Sequence, residues 1–207
     1  MQSARRRAIN RPLLVLVNGA PGSGKSTLAH HLAPALGLPL LMKDAVKEAL
    51  YDTVGAGGPS DVASSAQLGK AAYALLYLVT TRLIDAGVGA ILESNFYRGW
   101  SEPELAPLLA RTRAVQLHCG GNAAVIIRRY RERAERGERH VGHNDLAAIP
   151  RLREYLATGR CEPLDLNLPL LRVDTTTAAE DLEYTPSFEA ILAFVRLQIP
   201  RLSRTAE

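Results

Sequence analysis

The chain has 207 residues, 47% of them hydrophobic and 22% charged, the balance of a water-soluble globular protein able to bury one substantial core. No apolar run approaches the roughly 18 residues of a membrane helix, since the longest candidate, Ala71 to Ile84, contains Arg82 and is flanked by Lys70 and Asp85. The net charge of +4 arises from 21 arginines and four lysines against 21 acids, and the excess gathers at the N-terminus and between Arg128 and Arg139, which fits a polyanionic ligand and equally a solvated surface.

Residues 1–11 are basic and without periodicity, a tail expected to fray. Leu13 to Val17 is an apolar run between Pro12 and Gly19, the pattern of a strand buried on both faces. Thr27 to Leu36 follows with helical spacing and ends at Gly37; Leu38 to Met42 reads as a second strand, and Asp44 to Tyr51 as a helix. After the Gly-rich loop Gly55 to Pro59, Ser60 is expected to cap a long helix reaching about Ala86. Leu68, Ala72, Leu75, Leu76, Val79 and Leu83 would form its core stripe.

Val88 to Leu92 reads as a third strand ending in Glu93, Ser94 and Asn95. Ser101 with Glu104 has the spacing of a capping box for a helix to about Ala110. Ala114 to His118 is a fourth strand, Asn122 to Arg136 and Asp145 to Ala157 are helices, Leu168 to Val173 is a fifth strand, and Ser187 to Ile199 a last helix. This alternation predicts a three-layer α/β fold, a single domain over 1–207, with a five-stranded parallel sheet and ligands at the carboxyl ends of its strands. Cys119 and Cys161 lie far apart with no C-x-x-C spacing, so neither a disulfide framework nor a zinc site is expected. With reduced cysteines and no signal-peptide pattern, the expected location is cytoplasmic.

The segment Gly19, Ala20, Pro21, Gly22, Ser23, Gly24, Lys25, Ser26 fits G-x-x-x-x-G-K-[ST], and it follows a predicted strand and opens a predicted helix. In such a loop the backbone N–H groups and the helix N-terminus, here including Thr27, face phosphate oxygens. Lys25 would reach the β- and γ-phosphates of ATP, and the Ser26 hydroxyl would ligate Mg²⁺. The alternative is a Gly-rich turn without a ligand.

Together with the Lys43–Asp44 pair at the next strand end, the Ile91-Leu-Glu-Ser-Asn95 strand end and the arginine-rich stretch closing in Arg139-His140-Val-Gly-His143, this loop resembles the P-loop kinases. Within them the chain is most similar to the group around zeta-toxin, chloramphenicol phosphotransferase and polynucleotide kinase, over roughly Leu13 to Asp174. The resemblance implies a magnesium- and ATP-dependent kinase acting on a hydroxyl, with Asp44 as base or substrate-orienting group and an arginine-rich lid at about residues 128–145. Asp44 is otherwise a helix N-cap.

Glu93 stands where a Walker B carboxylate would serve Mg²⁺, although its longer reach also suits the substrate, as does Asn95; a carboxylate satisfied by local backbone donors is the alternative. Arg129, Arg133 and Arg136 are spaced i, i+4 and i+7, and like charges so placed repel unless an anion lies between them. Lid arginines of the resembled kinases close on the nucleotide, so Arg133, and less so Arg129, are expected to face phosphate, with Arg139 toward the substrate. The pairs Glu132–Arg136 and Glu135–Arg139 offer a solvated-face reading of the same helix. His140 and His143 suit a lid or substrate contact better than zinc, since no third ligand is evident. Phe96, Tyr97 and Trp100 are candidates for an acceptor pocket or for ordinary packing.

A small hydroxyl-bearing acceptor (sugar, antibiotic, nucleoside or nucleotide-sugar) is the leading expectation. Nucleic-acid 5′-hydroxyl phosphorylation is disfavoured by 5% aromatic residues and by no basic run outside the tail and lid. A nucleotide switch is disfavoured by the missing N-K-x-D. No membrane partner is expected, and the oligomeric state is not specified.

Overall fold

The structure is a computed structural model that describes residues 11–54, 62–143, 145–176 and 184–198. The N-terminal tail, the Gly55 to Pro59 loop and the Ser60 cap lie outside the described residues. Strands β1 (Leu13–Gly19), β2 (Leu40–Met42), β3 (Ala90–Glu93), β4 (Arg113–Gly120) and β5 (Leu170–Asp174) form one sheet in the order β2-β3-β1-β4-β5. Every pairing is parallel, with Val17 opposite Glu93 and Leu117, and Met42 opposite Glu93. Helices α1 (Lys25–Leu36), α2 (Lys43–Val54), α3 (Val62–Asp85), α4 (Ser101–Leu109), α5 (Ala123–Glu135), α6 (Asp145–Ala157) and α7 (Phe188–Arg196) provide the crossovers and cover.

Alternation along β1 generates the three layers. Leu13, Val15 and Val17 pack with Leu28 and Leu32 of α1 and Ile191 and Val195 of α7. Leu14 and Leu16 face the other way, onto Leu76 of α3 and Leu105 and Leu108 of α4. A third apolar cluster, Ile126 and Tyr130 of α5 with Leu152 of α6 and Ala20 of the P-loop, docks the α5–α6 hairpin at the carboxyl end of the sheet. The hairpin therefore closes over the strand ends where the phosphate-binding loop emerges.

Local signals behave unevenly. The Asn122 side chain accepts from the N–H groups of Ala124 and Val125, capping α5, and Ser187 accepts from Ala190 to cap α7. At α4 the expected capping box does not form. Trp100 is the N-cap without a side-chain bond; Glu102 accepts from the Gly99 N–H and Glu104 from the Tyr77 hydroxyl. Leu75 and Val79 of the predicted α3 stripe are 38% and 43% exposed. The buried row is instead Ala72, Leu76, Thr80 and Ile84, because the Thr80 hydroxyl donates to the Leu76 carbonyl one turn back and so enters the core without an unmet polar group. α7 ends at Arg196, short of Ile199.

Candidate active site

β1 ends in Gly19, and the loop from Ala20 to Gly24 leads into α1. Gly22 has φ 84°, and a Cβ there would lie 2.8 Å from the Ile126 carbonyl oxygen of α5. The motif's glycine is thus required both by its left-handed backbone and by the approach of α5. Thr175, just past β5, braces the loop from below, its hydroxyl donating to the Ser23 carbonyl at 2.7 Å.

The Lys25 ammonium is buried and reaches back over the loop, 3.5 Å from the Ala20 carbonyl and 3.6 Å from Glu93 Oε1. The Ser26 hydroxyl donates to the same Glu93 oxygen at 3.3 Å. Glu93 is 2% exposed, and its burial raises its pKa, with Lys25 opposing. A serine hydroxyl and a carboxylate oxygen at one point beside the phosphate loop are a hard-oxygen set suited to Mg²⁺. These residues fit the nucleotide and the metal.

Asp44 lies within the first turn of α2, which begins at Lys43 directly after β2. The N-cap alternative is therefore not what forms. Its carboxylate is held by Lys43 at 3.0 Å and by Arg139 at 3.1 Å. Burial alone would raise its pKa, but Lys43, Arg139, His143 and Lys25 together hold it well below the usual carboxylate range. Arg139 also donates to Asp145 at 3.0 Å, and Asp145 accepts from the Tyr130 hydroxyl at 2.9 Å. Asp44 is thus fixed from its own strand end, from the α5–α6 connection and through α6.

Ile126, Tyr130 and Arg133 share one face of α5, so the helix carries Arg133 over the P-loop. Its Nε is buried without a hydrogen-bond partner among the described residues, and its side chain lies against the Tyr130 ring. The predicted arginine stripe does not stay together. Arg129 donates to the Thr175 carbonyl at 2.7 Å, tying α5 to the brace beneath the loop, and it does not line the cavity. Arg136 turns outward to Glu138 at 3.0 Å. Neither of the pairs expected for Glu132 and Glu135 forms, because Arg136 lies past the helix end and Arg139 is drawn to the two aspartates; Glu132 pairs with Arg128 instead.

The lid closes onto α2 through one ion pair and two histidine–carboxylate contacts. Asp44, Glu48 and Asp52, spaced four apart on α2, meet Arg139, His143 and His140 at 3.1, 2.7 and 3.0 Å. The two histidines are therefore clasp residues, and no metal-binding group of three ligands occurs among the described residues.

Between the P-loop, α2, α3 and the hairpin lies a cavity of about 340 Å³ lined by Lys25, Ser26, Asp44, Asn95, Tyr97, Trp100, Arg133 and Arg139. Asn95 donates to the Tyr97 hydroxyl at 3.1 Å. Tyr97, Trp100 and Tyr155 pack edge to face, with centroids 4.9 to 6.1 Å apart. Phe96 does not join this wall; its backbone turns through φ 41° and buries the ring in the sheet core. Lys47, Tyr73, Tyr130, Asp145, Arg151 and Tyr155 also line the cavity, and no motif pointed to them. Only the charge of Lys47, Asp145 and Arg151 on their helices was available as a signal.

A parallel sheet with a P-loop after β1 and an arginine-bearing lid defines a P-loop nucleotide-binding protein. The chain belongs to the AAA domain family, whose profile matches residues 14–156. A candidate kinase of Chloroflexus aurantiacus J-10-fl is 34% identical, with a TM-score of 0.78 over 92% of this chain and 100% of that one. A sugar kinase of Janibacter sp. HTCC2649 shares the fold at 22% identity, with a TM-score of 0.54 over 91% of this chain and 96% of that one. An uncharacterized protein of Mycobacterium tuberculosis H37Rv is 29% identical over 131 residues, 58% of this chain and 26% of its own length. The chain thus spans about a quarter of that relative. No helix among the described residues is long and apolar enough to cross a membrane.

Proposed function

We propose that the protein transfers the terminal phosphoryl group of ATP to a hydroxyl of a small molecule seated in this cavity. The observation that carries the reading is the presence, in one cavity, of the P-loop residues Lys25 and Ser26 and of a carboxylate, Asp44, held ionised by two cations. A switch that only hydrolyses nucleotide has no need of a second carboxylate fixed across from the phosphate loop, nor of an aromatic wall beyond it. The kinase descriptions of the Chloroflexus and Janibacter proteins support the same chemistry.

In this reading the loop N–H groups, from Gly19 through Thr27 at the helix start, hold the phosphate chain, and Lys25 lies along its β- and γ-oxygens. Mg²⁺, held by Ser26 and reached by Glu93, would neutralise charge on the phosphates. Arg133 meets the charge developing on the transferred group. Asp44 accepts a hydrogen bond from the acceptor hydroxyl, aims its oxygen at phosphorus and takes the proton as the new bond forms. Its low pKa makes it a weak base, which suits a loose transition state in which the proton leaves late. Asn95 binds the acceptor, Arg139 keeps Asp44 in place, and the Tyr97–Trp100–Tyr155 wall packs on its apolar face.

The test is ATP consumption by the purified protein against hydroxyl-bearing compounds, with products examined by mass spectrometry for the gain of one phosphoryl group. Acceptor-dependent ADP release with a phosphorylated product is expected. ATP hydrolysis at the same rate with and without every acceptor would return the protein to the switch class.

A further inference from the structure

Six cationic side chains line the cavity: Lys25, Lys43, Lys47, Arg133, Arg139 and Arg151. Two carboxylates, Asp44 and Asp145, face them; Asp44 is engaged by Lys43 and Arg139, and Asp145 by Arg139. Lys25 and Arg133 match the charge of about −2 carried by a magnesium-bound nucleoside triphosphate. Lys47 and Arg151 form no ion pair among the described residues.

Lys47 is the telling one. It is 5% exposed, and its ammonium donates to the neutral Ser65 hydroxyl at 2.6 Å. No carboxylate among the described residues forms an ion pair with it. Burial, then the neighbouring Lys43, push its pKa down to about 8, against the weaker pull of Asp44 and Asp145, neither of which is within ion-pair distance. A lysine this buried is kept only rarely without a partner. Ser65 is itself fixed, donating to the Gly142 carbonyl of the lid at 3.1 Å, so the ammonium is held in the cavity wall. Arg151, on the exposed side of α6, lines the same cavity with no ion pair among the described residues.

We propose that the acceptor is an anionic polyol, a hydroxyl compound carrying a carboxylate or a phosphate ester, whose anionic group binds Lys47 with Arg151 as second cation. The inference rests on the kinase reading and names its substrate class. Asp44 receives the reacting hydroxyl, the aromatic wall the carbon skeleton, and Lys47 the charge. A neutral sugar would leave the buried ammonium without an ion pair, whereas an anion supplies a charged acceptor in place of a neutral one.

The test uses protein saturated with magnesium and the non-hydrolysable β,γ-imido analogue of ATP, so that the phosphate loop is taken. Calorimetric titration compares glucose, glucuronate and glucose 6-phosphate, which differ at one carbon. At least one anionic probe is expected to bind roughly 10-fold or more tightly than glucose, from the strength of hydrogen bonds to charged groups. Which of the two wins separates carboxylate from phosphate. Lys47→Met should erase that preference and Arg151→Gln should reduce it, both with unchanged affinity for the nucleotide analogue. Binding of glucose as tight as that of both anions, no binding of either anion, or an anion preference that survives Lys47→Met overturns the proposal. Transfer to neutral polyols alone would keep the kinase reading and reject this site; anion binding lost in Lys47→Met, with ATP hydrolysis indifferent to acceptors, would do the reverse.

Discussion

The two sides of the cavity are built by different means. The nucleotide side is one contiguous loop in which backbone geometry dominates: Gly22 at a positive φ, a helix N-terminus at Lys25, and a brace from Thr175 to the Ser23 carbonyl. The acceptor side gathers Asp44 and Lys47 from α2, Ser65 from α3, Arg139 from the lid and Asp145 and Arg151 from α6, with side-chain ion pairs joining Asp44, Arg139 and Asp145 across three elements. A backbone cradle depends on a few local residues and tolerates change elsewhere. A side-chain network spread over several elements can be altered at one position while the phosphate loop is left intact, which is how one scaffold accommodates different acceptors.

That contrast predicts separable losses. The largest is expected from Lys25→Ala, which removes the point charge nearest the terminal phosphates. Turnover should vanish and MgATP binding weaken while the circular-dichroism spectrum and melting temperature stay near those of the parent. Normal nucleotide affinity and normal turnover in this variant would falsify the assignment of the loop.

Next comes Asp44→Asn, which keeps the size and removes the charge. MgATP should bind nearly as before while kcat falls by about 10²- to 10⁴-fold, the usual worth of a positioned proton acceptor. Were nucleotide binding and melting temperature to fall together instead, Asp44 would belong to the structural framework and the division between the two sides would fail.

Arg133→Ala is expected to cost about 10²-fold in kcat with a smaller effect on ATP affinity, since its charge is needed most as the phosphoryl group moves. Its Nε already lies buried without a partner among the described residues, so a loss confined to ATP affinity would make it a ground-state binder. The smallest effect concerns the lid clasp. His140→Ala removes the outermost contact, to the largely exposed Asp52, and should cost no more than about 1 kcal/mol of unfolding free energy. A fall of several kcal/mol in chemical denaturation would show that the clasp is a cooperative unit rather than a solvent-screened edge.

How far each region was legible follows from the same contrast. The P-loop could be read because its function is written in consecutive residues whose backbone needs only glycine can meet. The strand order of types was legible because parallel strands buried on both faces appear as unbroken apolar runs, as in Leu13 to Val17. The α3 stripe was misread because apolar identity was taken for inward direction: Thr80 faces the core by bonding its own helix, while Leu75 and Val79 point outward. The arginine stripe of α5 was misread at Arg129 and Arg136 for a related reason. Helical spacing puts Arg129, Arg133 and Arg136 near one another, but Arg129 is claimed by a carbonyl of the β5 end and Arg136 lies beyond the last turn.

From the sequence alone came the parallel α/β architecture, the phosphate loop, and the candidacy of Asp44, Glu93 and Arg133, because each rests on periodicity, on a motif read along the chain or, for Asp44 and Arg133, on the resemblance to P-loop kinases. Only the tertiary structure decided that Arg139 bridges Asp44 to Asp145, that His140 and His143 clasp α2, and that Lys47 faces the cavity buried and with no ion pair among the described residues. Those partners are up to 95 residues apart in the chain. Charge pairing acts through space and leaves no periodic trace in sequence, so it becomes visible only when the sheet has brought α2, the lid and α6 to the same end of the fold.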